Sequence, residues 1–165
     1  MDDEYNIIEF GIHDNADMRT VVRNHAYMGE SPRLVIEQIA SMGMAVGAET
    51  FETVYWSGKF SEAFFAVSGR EADRIPRVPI KVHLCGTAKA KDANVRQALI
   101  DRFGGSSALQ KAKAAKGKKG VIVEPAREAG PLAGIFSHCW SALAVAVVYI
   151  DRLRVDARQA LKGTE

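Results

Sequence analysis

The sequence of 165 residues predicts one α/β domain over residues 1–165, because strand-like segments alternate along it with segments of helical periodicity. Three segments are predicted to be strands: residues 7–12, 34–40 and 80–86. Four are predicted to be helices: residues 16–28, 49–67, 92–103 and a long final helix that begins at Ser137. The length fits a single domain, and a hydrophobic content of 47% is enough for a core.

The three strand predictions rest on different patterns. Residues 7–12 form a short apolar run that ends in a turn-like segment, and residues 34–40 form a longer run that contains Glu37 and Gln38. In residues 80–86, apolar and polar side chains alternate, which is the period of a strand with one buried face. Pro76 and Pro79 predict a connector before this third strand.

The helix predictions rest on periodicity and on end signals. Apolar residues recur at near-helical spacing between residues 51 and 64, and Gly69 is a typical C-terminal stop. Asp92 is a favourable N-cap for the next helix, and the glycines at 104 and 105 end it. The most apolar part of the last helix, residues 142–150, is too short to cross a bilayer.

Residues 106 to about 130 show no periodicity, and we expect a flexible basic loop there. Five lysines fall within nine residues of this loop: Lys111, Lys113, Lys116, Lys118 and Lys119. A lysine-rich segment without aromatic residues can bind a phosphate backbone without reading its sequence. The alternative is a solvent-exposed loop that only promotes solubility, and the two interpretations are compatible.

The two cysteines, Cys85 and Cys139, form no CxxC pattern, so they do not predict a zinc site. The N-terminus begins with acidic residues and shows no signal-peptide pattern. We therefore expect a cytoplasmic protein whose thiols are reduced and buried.

Glu37 is the strongest indication of chemistry in the sequence. Burying a carboxylate in an apolar strand is costly without a partner or a metal ion. The C-terminal ends of strands are also where open α/β sheets bind ligands. The structural alternative is an ion pair with a nearby arginine such as Arg33.

Two further groups are candidates for the same site. His138 and Ser141 are three residues apart, so they share one face at the start of the last helix, and histidine is a common metal ligand. His138 also fits a polar cap or an exposed residue. Basic residues surround the helix that begins near Asp92, where backbone N–H groups favour phosphates: Lys81, Lys89, Lys91 and Arg96. Here the alternative is a solvated loop.

Taken together, these segments resemble the RuvC-type Holliday junction resolvases, in particular their phage-borne and bacterial relatives. The similar segments are residues 35–38, residues 90–99 together with Lys81, and residues 140–146, with a further likeness at 44–53. The resemblance runs from roughly residue 5 to 152. It implies an RNase H-like fold, in which helices flank a mixed sheet, and a homodimer. It also implies cleavage of four-way DNA junctions in recombination or repair by two metal ions, Mg²⁺ or possibly Mn²⁺.

The resemblance also implies roles for individual residues. Glu37 corresponds to the acid on the family's fourth strand, and His138 falls where the terminal helix carries an aspartate or, in some members, a histidine. These two residues would bind the metal and, with Lys91, form the catalytic set. Lys81 and Lys91 match basic positions near the scissile phosphate. Lys89, Arg96 and the lysines of the basic loop would add DNA contacts.

The sequence departs from the family pattern in two places. The family's first strand ends in an aspartate within an Ile-Asp-Pro-Gly pattern that is absent here. We therefore align residues 7–12 with the third strand and expect a sheet that is incomplete at its N-terminal side. We further expect the functional protein to begin roughly 15–25 residues upstream. The last aspartate of the terminal-helix motif is replaced by Ser141, a poorer Mg²⁺ ligand, which leaves Glu49 or Glu52 as further candidate acids.

Three functions are consistent with these features. The first is a nuclease that cuts branched DNA. The second is a catalytically impaired relative that binds branched DNA without cutting it. The third is a small α/β scaffold that does not bind nucleic acid.

Overall fold

Helices make up most of the computed structural model, which describes residues 1–40, 45–111, 113–114, 125–127 and 129–162. The α-helices in these residues are α1 (Asn15–Met28), α2 (Ala48–Ser68), α3 (Arg77–Cys85), α4 (Asp92–Arg102) and α5 (Cys139–Lys162). A 3-10 helix (Gly105–Leu109) follows α4. The strands are β1 (Val35–Gln38), β2 (Asp73–Pro76), β3 (Lys113–Ala114) and β4 (Pro125–Arg127).

The strands form two separate pairs. β1 is parallel to β2, with Val35 opposite Asp73 and Gln38 opposite Pro76. β3 is antiparallel to β4. The fold is therefore mixed α/β, as the sequence predicts. The structure also confirms, within a few residues, the predicted strand at 34–40 and the predicted helices at 16–28, 49–67, 92–103 and from 137. β2 was not predicted, because its sequence combines two charged residues and a proline with a single buried side chain, Ile75.

The prediction of a first strand at residues 7–12 is wrong. These residues join no sheet among the described elements, and Ile8 and Ile12 are 74% and 51% exposed. A short apolar run forms a strand only where a neighbouring backbone pairs with it.

The prediction of a third strand at residues 80–86 is also wrong, because this segment belongs to helix α3. Ile80 is fully buried and Leu84 packs against the core one turn later, whereas Val82 is 46% exposed. Positions i and i+4 share one face of a helix, so this burial pattern has the helical period. Pro79 lies in the first turn, where its missing N–H group costs nothing.

The core lies against one face of α5. The buried residues of this helix recur at helical spacing: Leu143, Ala144, Val147, Val148 and Ile150 among others. They form one cluster with buried residues of the neighbouring elements: Ile75 of β2, Ile80 of α3, Val95 and Leu99 of α4, and Leu132. α5 also contacts β1, while α1 packs against α2. No helix in the described ranges has the length and apolar character needed to cross a bilayer.

The carboxylate of Asp151 on α5 contacts three other parts of the chain, namely the N-terminal segment, α3 and α4. It accepts two hydrogen bonds from Arg102 of α4, at 2.8 and 2.5 Å. It also accepts one from the hydroxyl of Tyr5 at 2.5 Å and lies 2.7 Å from Nε2 of His83 on α3. Burial alone would raise the pKa of Asp151, but the hydrogen bonds from Arg102, Tyr5 and His83 outweigh it and lower the pKa below its usual value.

Replacing Val147 by alanine is expected to lower the free energy of unfolding by about 2 kcal/mol, because two buried methyl groups are lost and a cavity remains. Val155 lies two turns further along the same helix and is 49% exposed. Val155→Ala should therefore change the stability by less than about 0.5 kcal/mol. Urea unfolding followed by circular dichroism measures both, and equal losses would contradict the placement of Val147 in the core.

Replacing Asp151 by asparagine is expected to cost about 2 kcal/mol near neutral pH, because Arg102 loses its charged partner. Since the folded-state pKa of Asp151 is lowered, its stabilising effect is complete above the unfolded-state pKa of about 3.9 and is lost as the pH falls through the folded value. The difference in the free energy of unfolding between parent and variant, measured in urea, should therefore shrink as the pH is lowered. Asp156→Asn, on an exposed part of α5, is the matched control. A gap that widens as the pH falls would contradict this account.

Candidate functional site

A cleft of about 900 Å³ lies between α4 and the start of α5. Its lining includes Arg77 from the start of α3, Asp92 and Arg96 from α4, and His138 and Ser141 from the start of α5. Two segments that the sequence analysis selected, residues 90–99 and 137–146, therefore meet at one surface.

Both α4 and α5 begin at this cleft. α4 starts at Asp92, and its first turn is supported by the Lys91 N–H, which donates to Oδ1 of Asn94 at 2.9 Å. At α5, the carbonyl of His138 accepts from the N–H groups of Ser141 and Ala142 at 3.0 and 3.2 Å, so His138 caps the helix through its backbone. The first turns of helices carry unsatisfied N–H groups and a partial positive charge. Two such ends at one cleft favour an anion.

The residue before His138 has a strained backbone. Ser137 has a φ of +43°, in the left-handed region that L-residues other than glycine, asparagine and aspartate rarely adopt. This conformation costs roughly 1 kcal/mol, and such strain is often found beside binding sites. At the cleft, it sets the direction from which the chain enters α5.

Arg77 joins two carboxylates at the edge of the cleft. Its Nε lies 3.5 Å from Oε1 of Glu37, and its Nη2 donates to Oδ1 of Asp92 at 2.5 Å. The hydrogen bond from Arg77 holds the pKa of Asp92 below its usual value, with a further contribution from the charge of Lys81. The side chain of Arg77 is 23% exposed and that of Glu37 is 33% exposed, so Glu37 is half-buried rather than enclosed.

The ion-pair interpretation of Glu37 is correct in kind, but Arg33 is the wrong partner. Arg33 instead donates to the hydroxyl of Tyr149 at 3.5 Å. Arg77 reaches Glu37 because the parallel register sets Gln38 beside Pro76, and Arg77 follows Pro76 directly. Sequence analysis missed Arg77, since the partner is fixed by strand pairing and β2 was not predicted. A signal that could have identified it is the cluster of arginines at 70, 74 and 77, which supplies candidate ion-pair partners for the carboxylate of Glu37.

Arg96 and Trp140 contact each other at the cleft. The guanidinium carbon of Arg96 lies 4.8 Å from the centroid of the Trp140 ring. Trp140 is 9% exposed and belongs to the core, whereas Arg96 is exposed. This cation–π contact holds the Arg96 stem on the protein while the charged group stays accessible to a ligand.

The predicted metal ligands are not assembled in the part of the chain that the structure describes. Glu37 faces Arg77, and His138 is exposed. No three or more His, Cys, Asp or Glu side chains of the described residues are grouped so that they could hold a metal ion. Two-metal hydrolysis requires several oxygen ligands, and the described residues do not bring such a set together around Glu37 or His138. The metal role of Glu37 and His138 therefore remains a prediction.

The predicted DNA-binding residues fall into two groups. Lys81 is half-buried on α3, while Lys89, Lys91 and Arg96 are exposed. Of these four, Arg96 lines the cleft, and Lys91 directly precedes the cleft residue Asp92. Of the basic loop, Lys111 is exposed. Lys113 belongs to β3, but its side chain is outside the described part, as are the residues Lys116, Lys118 and Lys119.

Comparison with known proteins supplies no relative for this chain. No protein-family model matches the sequence. No curated protein and no solved structure matches it either.

Proposed function

We propose that this chain binds the phosphate backbone of branched DNA, such as a four-way junction, as a RuvC-like protein that need not cut it. The observation that supports this proposal is the convergence of two helix N-termini, Arg77 and Arg96 on one open cleft. Backbone N–H groups, helix dipoles and guanidinium groups are the features with which proteins hold phosphates.

The charge balance of the cleft also favours an anion. Its two nearby acids, Glu37 and Asp92, both face Arg77, whose single positive charge offsets part of theirs; the side chain of Asp92 is 79% exposed. Arg96 forms no ion pair with an acid in the part of the chain that the structure describes, and its guanidinium lies over an aromatic ring instead. Lys89 and Lys91 lie exposed beside the same helix start. A duplex backbone at this surface would meet positive charge on several sides.

A second candidate is hydrolysis of the branched DNA by an RNase H-like nuclease that uses Mg²⁺. One observation favours it: Glu37 lies near the carboxyl end of β1, and its partner Arg77 lines the cleft. Under this candidate Glu37, His138 and Lys91 would be the catalytic residues, and the role would be DNA recombination or repair in the cytoplasm.

Four-way junction binding is expected in EDTA, with an affinity that falls steeply as salt rises, because phosphate contacts release counterions. Arg96→Gln should weaken binding and reduce the slope of log K against log salt by about 1. Arg158→Gln, at the far end of α5, is the matched control and should leave the slope unchanged. Fluorescence anisotropy with a junction and a linear duplex of the same length measures both. No preference for the junction at moderate salt would contradict the proposal and favour a scaffold without DNA binding.

The same junction incubated with Mg²⁺ or Mn²⁺ separates binding from cutting. The proposal expects no cleavage by the parent above that of Glu37→Gln. Cleavage by the parent that Glu37→Gln abolishes would establish the nuclease and the role of Glu37. Equal residual cleavage by both would identify a contaminating nuclease.

We also propose a homodimer, and an apolar stripe on α2 is the surface that suits it. The stripe consists of Phe51, Val54, Tyr55 and Phe65, whose exposures are 65, 53, 55 and 49%, with Gly58 between them. Nothing lies within 4 Å of the position that a Cβ would take at Gly58, so a second helix can approach closely there. Phe51 and Phe65 are equally far from Gly58 in sequence. A two-fold axis through Gly58 would therefore place Phe51 of one copy against Phe65 of the other.

Phe51→Glu is expected to raise the dimer dissociation constant by more than about 10-fold, because each two-fold interface would bury two charges against aromatic rings. Val155→Glu, at an exposed position of α5, is the control and should have no such effect. Sedimentation equilibrium measures both. A monomeric parent would contradict the homodimer, and a dimer unaffected by Phe51→Glu would exclude the α2 stripe as its interface.

A further inference from the structure

We infer that the cleft contains a subsite for one unpaired nucleotide, in which the base stacks on the ring of Phe136 and the phosphate is held beside Arg96. This subsite shares the cleft of the proposed function and rests on it. Its ligand is a nucleotide whose base has a free face, supplied either by a branch point in DNA or by a free nucleotide. A base inside a paired duplex offers no such face, because its neighbours in the stack cover it.

Phe136 presents an aromatic ring at the cleft. It lines the cleft and is 50% exposed, although the residue before it, Ile135, is only 9% exposed. Leu132 is fully buried, and both Leu132 and Ile135 belong to the core cluster, so they anchor this segment while Phe136 stays at the surface. Proteins that bind single strands hold bases on such aromatic side chains in positively charged grooves.

The position of Phe136 is set before any ligand binds. Its carbonyl accepts a hydrogen bond from the N–H of Cys139 at 3.0 Å, and the next residue, Ser137, has the left-handed φ of +43°. Its ring packs edge to face against the ring of Phe10, with 6.5 Å between the centroids and 65° between the planes. A side chain that is already ordered loses little entropy when a ligand stacks on it.

The groups that would hold the phosphate line the same cleft. Arg96 is exposed, and its guanidinium carbon lies 4.8 Å from the centroid of the Trp140 ring, while Ser141 can supply a hydroxyl donor. Among the described residues that line the cleft, two arginines stand against one acid, Asp92, which Arg77 contacts at 2.5 Å. The cleft volume of about 900 Å³ lies within the range typical of sites for small molecules, so it is large enough for one nucleotide.

Titration of the full chain with dAMP and with 2-deoxyribose 5-phosphate tests the subsite, because the two ligands differ only by the base. NMR of the backbone amides, at low salt in EDTA, gives both dissociation constants. The parent is expected to bind dAMP about 5-fold or more tightly than the sugar phosphate, since a base stacked on an aromatic side chain contributes at least that much. This comparison needs no variant.

Variants of Phe136 separate stacking from phosphate binding. Phe136→Leu keeps an apolar side chain without a ring, so it should reduce the advantage of dAMP to less than about 2-fold and leave the sugar phosphate unaffected. Phe136→Trp keeps an aromatic face and should retain the advantage. Arg96→Gln should weaken both ligands alike. Tyr27→Leu, at an 83% exposed aromatic residue of α1 outside the cleft, is the matched control and should change neither ligand.

Two four-way junctions identify the source of the nucleotide. If the source is DNA, a junction with one unpaired nucleotide at its branch point should bind the parent about 5-fold or more tightly than the fully paired junction, and Phe136→Leu should remove the difference. If dAMP alone shows a preference that depends on Phe136, the subsite serves free nucleotides.

Two results would overturn this assignment. One is that neither dAMP nor the junction with the unpaired nucleotide binds the parent more tightly than its counterpart. The other is an advantage that persists in full in a folded Phe136→Leu variant. Preferential binding of the paired junction over linear duplex would leave the proposed function in place in both cases. Conversely, the loss of that preference with intact, Phe136-dependent binding of dAMP would contradict the proposed function alone.

Discussion

The burial of one apolar face of α5 is the constraint on which the rest of this structure depends. Residues such as Ala144, Val147 and Val148 have no exposed surface, and the buried side chains of β2, α3 and α4 pack around them. Because α5 begins at the cleft, this packing also fixes where His138 and Ser141 lie relative to α4. The site is therefore positioned by the core, and changes in the core are expected to act on the site.

Polar contacts then set the orientation of the elements that the core brings together. Asp151 receives hydrogen bonds from α4 and from Tyr5 and lies close to His83 of α3, while Arg77 joins the starts of α3 and α4 to β1. The side chains of Asp151 and Arg77 are only 14% and 23% exposed, so the loss of their partners would leave a charge that water solvates poorly. The hydrophobic core brings α3 and α4 to α5, and these charged groups determine how the helices are arranged there.

The sequence allowed correct prediction of those elements whose pattern of apolar residues or end signals lies within one long segment of the chain. α2, α4 and α5 were predictable because their apolar periodicity or their end signals extend over several turns. α3 was not, because the apolar residues Ile80, Val82 and Leu84 alternate with polar ones at the period of a strand. Only the structure shows that Ile80 and Leu84 face the core while Val82 is exposed, which is the helical pattern. β2 was not predictable because its stability comes from pairing with β1, which a four-residue segment with two charges does not reveal.

The candidate site was predictable in part for the same reason. Lys91, Arg96 and His138 were found because they lie at or near helix starts, which the sequence marks. Glu37 was found because a carboxylate in an apolar run is unusual by itself. Arg77 was not found, since its importance depends on the register of a parallel pair whose second strand was missing from the prediction.

The hydrogen bond from Tyr5 to Asp151 spans 146 positions of the chain. Closing a loop of this length carries an entropic cost that nearby contacts do not, so it forms only after the packing of α3, α4 and α5 can offset it. During synthesis, the segment that follows Tyr5 leaves the ribosome long before α5 does. The hydrogen bond between Tyr5 and Asp151 can therefore form only after α5 has been made. The segment around Tyr5 is therefore expected to dock onto α5 late in folding.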